Sequence, residues 1–293
     1  MVKQLKRMDV SELDFDDIKT NLKTFLRGQT EFTDYDFEGS GMNILLDTLA
    51  YNTHYLSFNA NMLANEMFLD SAALRSSVVS HAKTLGYETG SVKAPIATVS
   101  ITLNNVSNST RTLSAGTVFN TTVAGESYQF ATIEDVTQSK SANDIIFNNI
   151  KIYEGTFVTQ RYTVNSSDAD QRFIINDNRC DTSTLSVSVQ NSSSDTTTTT
   201  YTKATDITQL TDESKVFFLQ EVEAGRFEVY FGDGVVSSAL SDGNIVLLKY
   251  IATNVDEANG ADTFTSSGAI DGETSVTVTT VDAASGEIGR AHV

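Results

Sequence analysis

The sequence predicts an α+β protein: an N-terminal helical region of about three helices, followed by an antiparallel all-β region. Three observations carry this. Apolar residues recur at helical spacing between Phe15 and Leu85. After Pro95, the only proline, the period changes from that of a helix to that of a strand. From there on, turn residues punctuate short runs rich in Val, Ile, Phe and Thr.

The elements follow in order. Ser11 is the expected N-cap of the first helix, with Phe15, Ile18, Leu22 and Phe25 on its apolar face and Gly28 at its end. Gln29–Gly41 reads as a loop with an acidic cluster of Glu31, Asp34, Asp36 and Glu38. Ser40 or Gly41 opens a long second helix. Ser71 is the expected cap of a third, with core positions Leu74, Val78, Ala82 and Leu85 and with Gly86 just past its end. Tyr87–Pro95 reads as an extended linker. Strands are expected at Thr98–Leu103, Thr117–Asn120, Ser127–Ala131, Ile145–Tyr153, Phe157–Val164, Arg172–Ile175 and Leu185–Val189. The polar tract Asn191–Thr202 reads as a solvated hairpin or long loop. Strands resume at Lys215–Gln220, Phe227–Phe231, Asn244–Ala252 and Ser275–Val281. No internal repeat is evident.

The second helix is the most informative element, because it is apolar on two faces. At about 100° per residue, Met42, Leu45, Leu49, Leu56, Ala60, Leu63 and Met67 fall on one side. Tyr51, Tyr55, Phe58, Met62 and Leu69 fall on another, about 140° away. Asn43, Asp47, His54, Asn61 and Asn65 separate them on one flank, and Asn52, Asn59 and Glu66 on the other. One wet face needs only one apolar stripe. A second stripe implies a second neighbour: either another part of the same domain, or another subunit. The aromatic and Met content of the second stripe favours a subunit interface. Tyr51, Tyr55, Phe58, Met62 and Leu69 are therefore the candidate interface residues.

Composition removes several function classes. The net charge of −18 argues against nucleic acid as a direct ligand, since phosphate binding needs clustered Lys and Arg. No apolar run approaches a membrane span, and Met1–Val10 lacks the apolar core of a signal peptide, so a soluble chain made in a cytosol is expected. The single cysteine, Cys180, excludes an internal disulfide and a zinc–thiolate cluster, and Asp177 and Asp181 oppose a thiolate there. Sequons at Asn105, Asn108, Asn120, Asn165 and Asn191 read as a by-product of Ser, Thr and Asn richness.

No catalytic constellation is legible. His54 lies on the polar flank of the second helix and His81 beside Val78 and Leu85, both structural positions. Phe231-Gly232-Asp233-Gly234 reads as a tight turn rather than a calcium loop, since it lacks alternating oxygen ligands. Asp242-Gly243-Asn244 reads the same way. Glu221 with Glu223, and Asp14 with Asp16 and Asp17, read as solvated faces rather than paired catalytic carboxylates. No cofactor, metal or small-molecule substrate is expected.

The last seven residues, Glu287–Val293, back-translate to a common sequencing-library adapter. They are read as an adapter artefact, so the natural chain is expected to continue past Gly286, and His292 is set aside.

Several blocks resemble one family. They are Asp36–Met42, Leu45-Leu46-Asp47, Leu49–Tyr55, Asn65–Ala72 and His81–Tyr87. Together they closely resemble the large baseplate wedge subunit of contractile-tailed phages of the T-even type. Arg226–Gly234, with Gly243-Asn244, Tyr250 and Asn259-Gly260-Ala261, is similar to the baseplate J-like module of that family. The resemblance covers nearly all of residues 10–265. It implies a structural protein of the virion without enzymatic activity, assembled in the host cytoplasm. It also implies that two copies join another wedge protein in a helical bundle, and that six wedges close a ring around the central hub and rearrange to trigger sheath contraction. On this reading residues 1–90 are a helical assembly region, 91–210 a β domain, and 211–286 an incomplete baseplate J-like β segment. The competing expectations are a carbohydrate- or receptor-binding tail-fibre module using Tyr128, Tyr153 or Tyr162, and a tail-associated glycan hydrolase.

Overall fold

The computed structural model describes residues 14–29, 35–168, 171–222 and 225–286. They fall into two compact units, one up to Tyr87 and one from Glu88 onward.

The first unit is helical. Helix α1 (Phe15–Arg27) starts at Asp14, whose carboxylate accepts the N–H of Asp16 at 2.8 Å and of Asp17 at 3.3 Å. Asp16 and Asp17 in the first turn and Arg27 in the last complement the helix dipole. Ser11, the expected cap, lies outside the described residues. Helix α2 (Gly41–Glu66) opens as expected at Ser40, whose hydroxyl accepts the Asn43 N–H at 3.0 Å. Helix α3 (Arg75–Thr84) corrects an expectation. Its N-cap is Leu74, which makes no side-chain cap bond. Ser71 instead donates to the Asn65 carbonyl at 2.7 Å. The capping acceptor comes from the end of α2: the Glu66 carboxylate takes the N–H groups of Ala73 (2.9 Å) and Leu74 (3.2 Å). Past the other end of α3, Gly86 has φ +74°, Tyr87 N–H bonds the Ala82 carbonyl and Gly86 N–H bonds that of Lys83. That is the paired closure for which a left-handed residue is needed. Val79 and Ala82 are the buried face of α3, whereas Leu74 and Leu85, expected in the core, are exposed.

The second unit is built of strands. In chain order they are β1 (Ile96–Leu103), β2 (Thr110–Leu113), β3 (Val118–Val123), β4 (Glu126–Ala131), β5 (Val136–Ser139), β6 (Ile145–Glu154), β7 (Thr156–Thr163) and β8 (Phe173–Ile175). There follow β9 (Cys180–Gln190), β10 (Thr198–Lys203), β11 (Val216–Glu221), β12 (Phe227–Phe231), β13 (Ile245–Ala252), β14 (Thr265–Ser266) and β15 (Val276–Ser285). One sheet runs β14-β3-β4-β6-β1-β15 and a second β7-β13-β9-β10-β11-β12-β8, while β2 and β5 form a separate ribbon. Pairing is antiparallel throughout except β10 with β11, which is parallel. Residue 210 lies between these two hydrogen-bonded neighbours. The polar tract does form a hairpin, β9 to β10, with a turn at Ser192–Asp195.

The second sheet is one continuous excursion from the first. The chain leaves after β6 and returns after β13, and the two crossings are interlocked. Gly155 has φ +119°, and a Cβ there would lie 2.3 Å from the Ala252 carbonyl oxygen, so only glycine fits. Beside it the Glu154 carboxylate, fully buried, accepts from Thr253 Oγ1 (2.6 Å), Asn254 N (2.9 Å) and Asn254 Nδ2 (2.8 Å). The expected linker is also pinned here. Asp181, 1% exposed, accepts the Ala94 N–H at 3.0 Å, and the Ser91 hydroxyl accepts from Thr182 N and Thr182 Oγ1, each at 2.9 Å. A small core of Ala94, Ala131 and Ile251 fills this joint, flanked by large ones inside each sheet. The outer strands of the second sheet meet through side chains, with Gln160 and Tyr162 of β7 both donating to the Ile174 carbonyl of β8. That sheet is therefore curled almost into a barrel.

Candidate protein interface

Helix α2 packs on its own unit through a narrow strip. Asn43, Leu46, Ala50 and Asn61 are buried, with His54 and Ser57 half-buried between them. These positions share one side of the helix at about 100° per residue. Leu46 and Ala50 are its only buried apolar residues, at 4% and 0% exposure. Helix α1 packs against α2, with Ile18 buried and Leu22 and Leu26 half-buried. Lys19 pairs with Asp47 at 2.5 Å and Lys23 with Asp36 at 3.6 Å along this contact.

Both apolar stripes are left open. Leu45, Leu49, Leu56, Leu63 and Met67 on one side, and Ile44, Tyr51, Tyr55, Phe58 and Met62 on the other, are each between 43% and 67% exposed. Each stripe sits about 100° or more around the helix from the buried strip, so neither serves the unit's own core. The expected polar flank does that instead. Tyr51 and Tyr55 lean on each other, ring centroids 5.6 Å apart. Leu69, placed by helical phase with the aromatic stripe, lies beyond the end of α2 at Glu66. It is exposed in the following turn, next to exposed Phe68. Phe25, Phe37, Leu74, Leu85 and Tyr87 of the same unit are exposed too.

Set against this, the unit's buried apolar residues among those described are Ile18, Leu46, Ala50, Ala72, Val79 and Ala82. Large exposed apolar groups are concentrated on this unit, a pattern that makes it the candidate interaction surface. Ile44 lies on the exposed aromatic stripe and was missed from the sequence, although its phase could have found it.

The remaining candidates are structural. His81 Nε2 lies 2.9 Å from the Glu66 carbonyl, to which it donates, and ties the two helix ends together. Asp233 turns the Gly232–Gly234 loop by accepting the Val235 N–H at 3.0 Å, a bond that holds its carboxyl below the usual range. Gly234 has φ +87°, and a Cβ on Gly232 would lie 2.0 Å from Ser237 Oγ. Glu221 is buried, not solvated as expected. Glu223 lies outside the described residues, as do the 287–293 tail and its His292. Burial, with Asp181 and Asp177 nearby, pushes the Cys180 thiol far up, and the Tyr250 hydroxyl beside it to about 12. No metal-binding cluster occurs among the described residues, and no helix there is long and apolar enough to cross a membrane. Tyr128, Tyr153 and Tyr162 are half-buried against the three β cores rather than displayed as a platform.

Comparison with known proteins agrees with this division. Residues 14–87 match the helical domain of baseplate wedge proteins of the gp6-like type, and residues 158–255 match the third domain of the bacteriophage baseplate wedge protein gp6. The first match ends at the boundary between the two units. The second covers the second sheet from β7 to β13 with little excess, apart from the start of β7. Both are models of domains of phage baseplate wedge proteins, and over those residues the chain is similar to that class. Over 266 aligned residues it is 32% identical to baseplate wedge protein gp6 of Enterobacteria phage T4. That match takes in 84% of this chain but 39% of the relative, so the chain spans well under half the length of the protein it matches.

Proposed function

We propose that this chain is a structural component of a contractile phage tail baseplate. Through α2 it dimerises and joins other wedge subunits, forming the ring around the central hub whose rearrangement triggers sheath contraction. Its place is the virion, after assembly in the host cytoplasm, and its work is mechanical rather than catalytic. The helical unit, residues 1–90 in this reading, is the assembly region, and the strands after it form the body. The observation that carries the reading is the pair of unburied apolar stripes on α2, beside a core too small to need them. The match of this unit to a gp6-like helical domain supports it. The interface residues are Tyr51, Tyr55, Phe58 and Met62, with Leu69 in the turn beyond. The test is the double variant Tyr55→Asp/Phe58→Asp in the recombinant chain. Light scattering and co-purification with a wedge partner should show loss of self-association and of partner binding, with circular dichroism unchanged. Retained binding by a folded double variant rejects the proposal.

A further inference from the structure

The first sheet is a barrel that does not close. Its end strands, β14 and β15, come round next to each other, and the seam between them is zipped at one end only. There the Ala284 N–H bonds the Ala261 carbonyl and the Gly260 N–H bonds the Ala284 carbonyl, each at 2.8 Å, and the Thr280 hydroxyl donates to the Asp262 carbonyl at 2.6 Å. From Thr280 back to Val276 the seam gapes around a slot of about 570 Å³. Phe264, Ser266 and Gly268 form one wall, and Val276, Thr277 and Val278 the other. Val276 and Val278 pack on the core while Thr277 is exposed, so the slot runs along the edge of β15 rather than over either of its faces. That edge is open. The Asn104 N–H bonds the Ser275 carbonyl at 2.9 Å, and the register continues through Leu103 with Val276, Thr102 with Thr277 and Ile101 with Val278. Bonded and non-bonded pairs alternate in an antiparallel ladder, so Val278 and Thr280 turn their N–H and carbonyl groups away from β1. No backbone bond reaches those of Val278 among the described residues.

Natural sheets guard such an edge with charge, proline or a bulge. Here Val276–Val281 reads Val-Thr-Val-Thr-Thr-Val; the first charge is Asp282, and the register first shifts between Thr280 and Asp282. An unguarded edge of this kind is a template for one more strand. We propose that the slot takes an extended amino-terminal segment of another protein as an added strand, antiparallel to β15, with small apolar and hydroxyl side chains in alternation. Both walls of the slot belong to one sheet, so it admits a single strand and not the edge of a second copy's sheet. Charge sets the direction. At the zipped end Asp262 and Asp282 make no ion pair among the described residues, whereas at the other end Glu273 is already bound by Arg111. A positive amino end is therefore favoured beside Asp262, and a strand antiparallel to β15 brings its amino end there. The lining carries no charged side chain, in a chain of −18, so the body of the added strand is neutral. The alternation follows from the pleat: one set of side chains continues the core row of Val276 and Val278, and the other lies beside Thr277. The site belongs to the β unit and does not depend on α2.

The experiment is fluorescence anisotropy of the full chain with a peptide of alternating valine and threonine, labelled at its carboxyl end and carrying a free amine at the other. The peptide should bind saturably. N-methylation at alternate residues removes backbone donors and leaves the side chains unchanged, and it should weaken binding at least about tenfold. Acetylating the amine should weaken it about threefold, and less in high salt. Gly268→Trp, at a position where an added Cβ meets open space, should abolish binding while the urea melt stays unchanged. Tyr55→Asp/Phe58→Asp should bind the peptide as the wild type does, so this site and the α2 interface stand or fall separately. An unmodified peptide that does not bind overturns the proposal. So does an N-methylated peptide that binds equally well, since side chains alone then hold it. An acetylated peptide that binds equally well at low salt overturns the direction. If the wild-type chain dimerises and Gly268→Trp abolishes that dimer, the occupant is a second copy and the assignment to another protein is wrong.

Discussion

Replacing Leu46 by Ala tests which face of α2 holds the helical unit together. Leu46 is 4% exposed on the strip that meets the rest of its unit, and it is the largest apolar side chain α2 buries. Truncating a buried leucine leaves a cavity and costs about 3 kcal/mol. In a domain of this size each kcal/mol moves the melting point by about 4–8 °C, so the helical transition should fall by about 15 °C or vanish below room temperature. Leu56→Ala, at 61% exposure one heptad along from Leu49, removes more visible hydrophobic surface from the same helix. It should nonetheless change stability by no more than about 0.5 kcal/mol. The assay is far-UV circular dichroism of the helical melt, run dilute enough that light scattering reports monomer. Adding a wedge partner should then invert the ranking, with Leu56→Ala losing stabilisation that wild type gains by binding. If dilute Leu56→Ala melts as early as Leu46→Ala, the stripes are internal packing and the interface argument fails.

Three further outcomes follow from the geometry. Gly155→Ala places a methyl 2.3 Å from the Ala252 carbonyl at a φ of +119°; the β unit should lose more than about 3 kcal/mol in urea titration. Gly125→Ala, with open space at φ +93°, should cost only about 1 kcal/mol. Bonds from the Ser77 hydroxyl and then the Ala73 N–H hold the Glu66 carboxyl below its usual 4.5. Its support of α3 is therefore complete above pH 4.5 and fades as pH falls through the lower folded value. Amide protection at Ala73 and Leu74, taken against the intrinsic exchange rate at each pH, should fall over that acid range in wild type. In Glu66→Gln that protection should be low already and flat with pH; an unchanged profile in that variant refutes the cap. Tyr162→Phe removes the hydroxyl that bridges β7 to the Ile174 carbonyl of β8. It should cost about 1 kcal/mol, with exchange quickening first along β8.

Much of this fold could be read from local chemistry. Ser40 marks the start of α2 because a cap bond depends on residues three apart. Phe227–Phe231 was delimited correctly because both of its faces carry large side chains between turn signals. The missed strands share a cause. The strands β2, β5 and β14 are short and hold few apolar residues: β5 has only Val136, and β14, Thr265–Ser266, has none. Their pairing is imposed by the strands beside them, over sequence separations that no local pattern records. The buried strip of α2 was illegible for the opposite reason. Asn43, Ala50, Ser57 and Asn61 are small or polar, and a reading by hydrophobicity ranks them last, yet small side chains are what close helix approach requires. Leu69 failed because helical phase was carried past the point where Glu66 ends the helix to cap the next one.

The two units are stabilised on different principles, and the difference bears on assembly. In the β unit, phenylalanines 119, 130, 147 and 227 are fully enclosed, and even its most buried carboxylates, Glu154 and Asp181, have their hydrogen bonds supplied from within. Such a unit keeps its shape without help. The helical unit has no comparable cluster among its described residues. Most of its large apolar side chains face outward, and its buried apolar residues are Ile18, Leu46, Val79 and three alanines, beside the bonds at helix ends. A helix surface that is apolar over two stripes gains most of its stability only when something covers it. Folding of that unit and its association are then coupled. If the stripes are covered as proposed, the helical unit should melt at a higher temperature with its neighbours bound than when free, while the β unit should melt at the same temperature in both states.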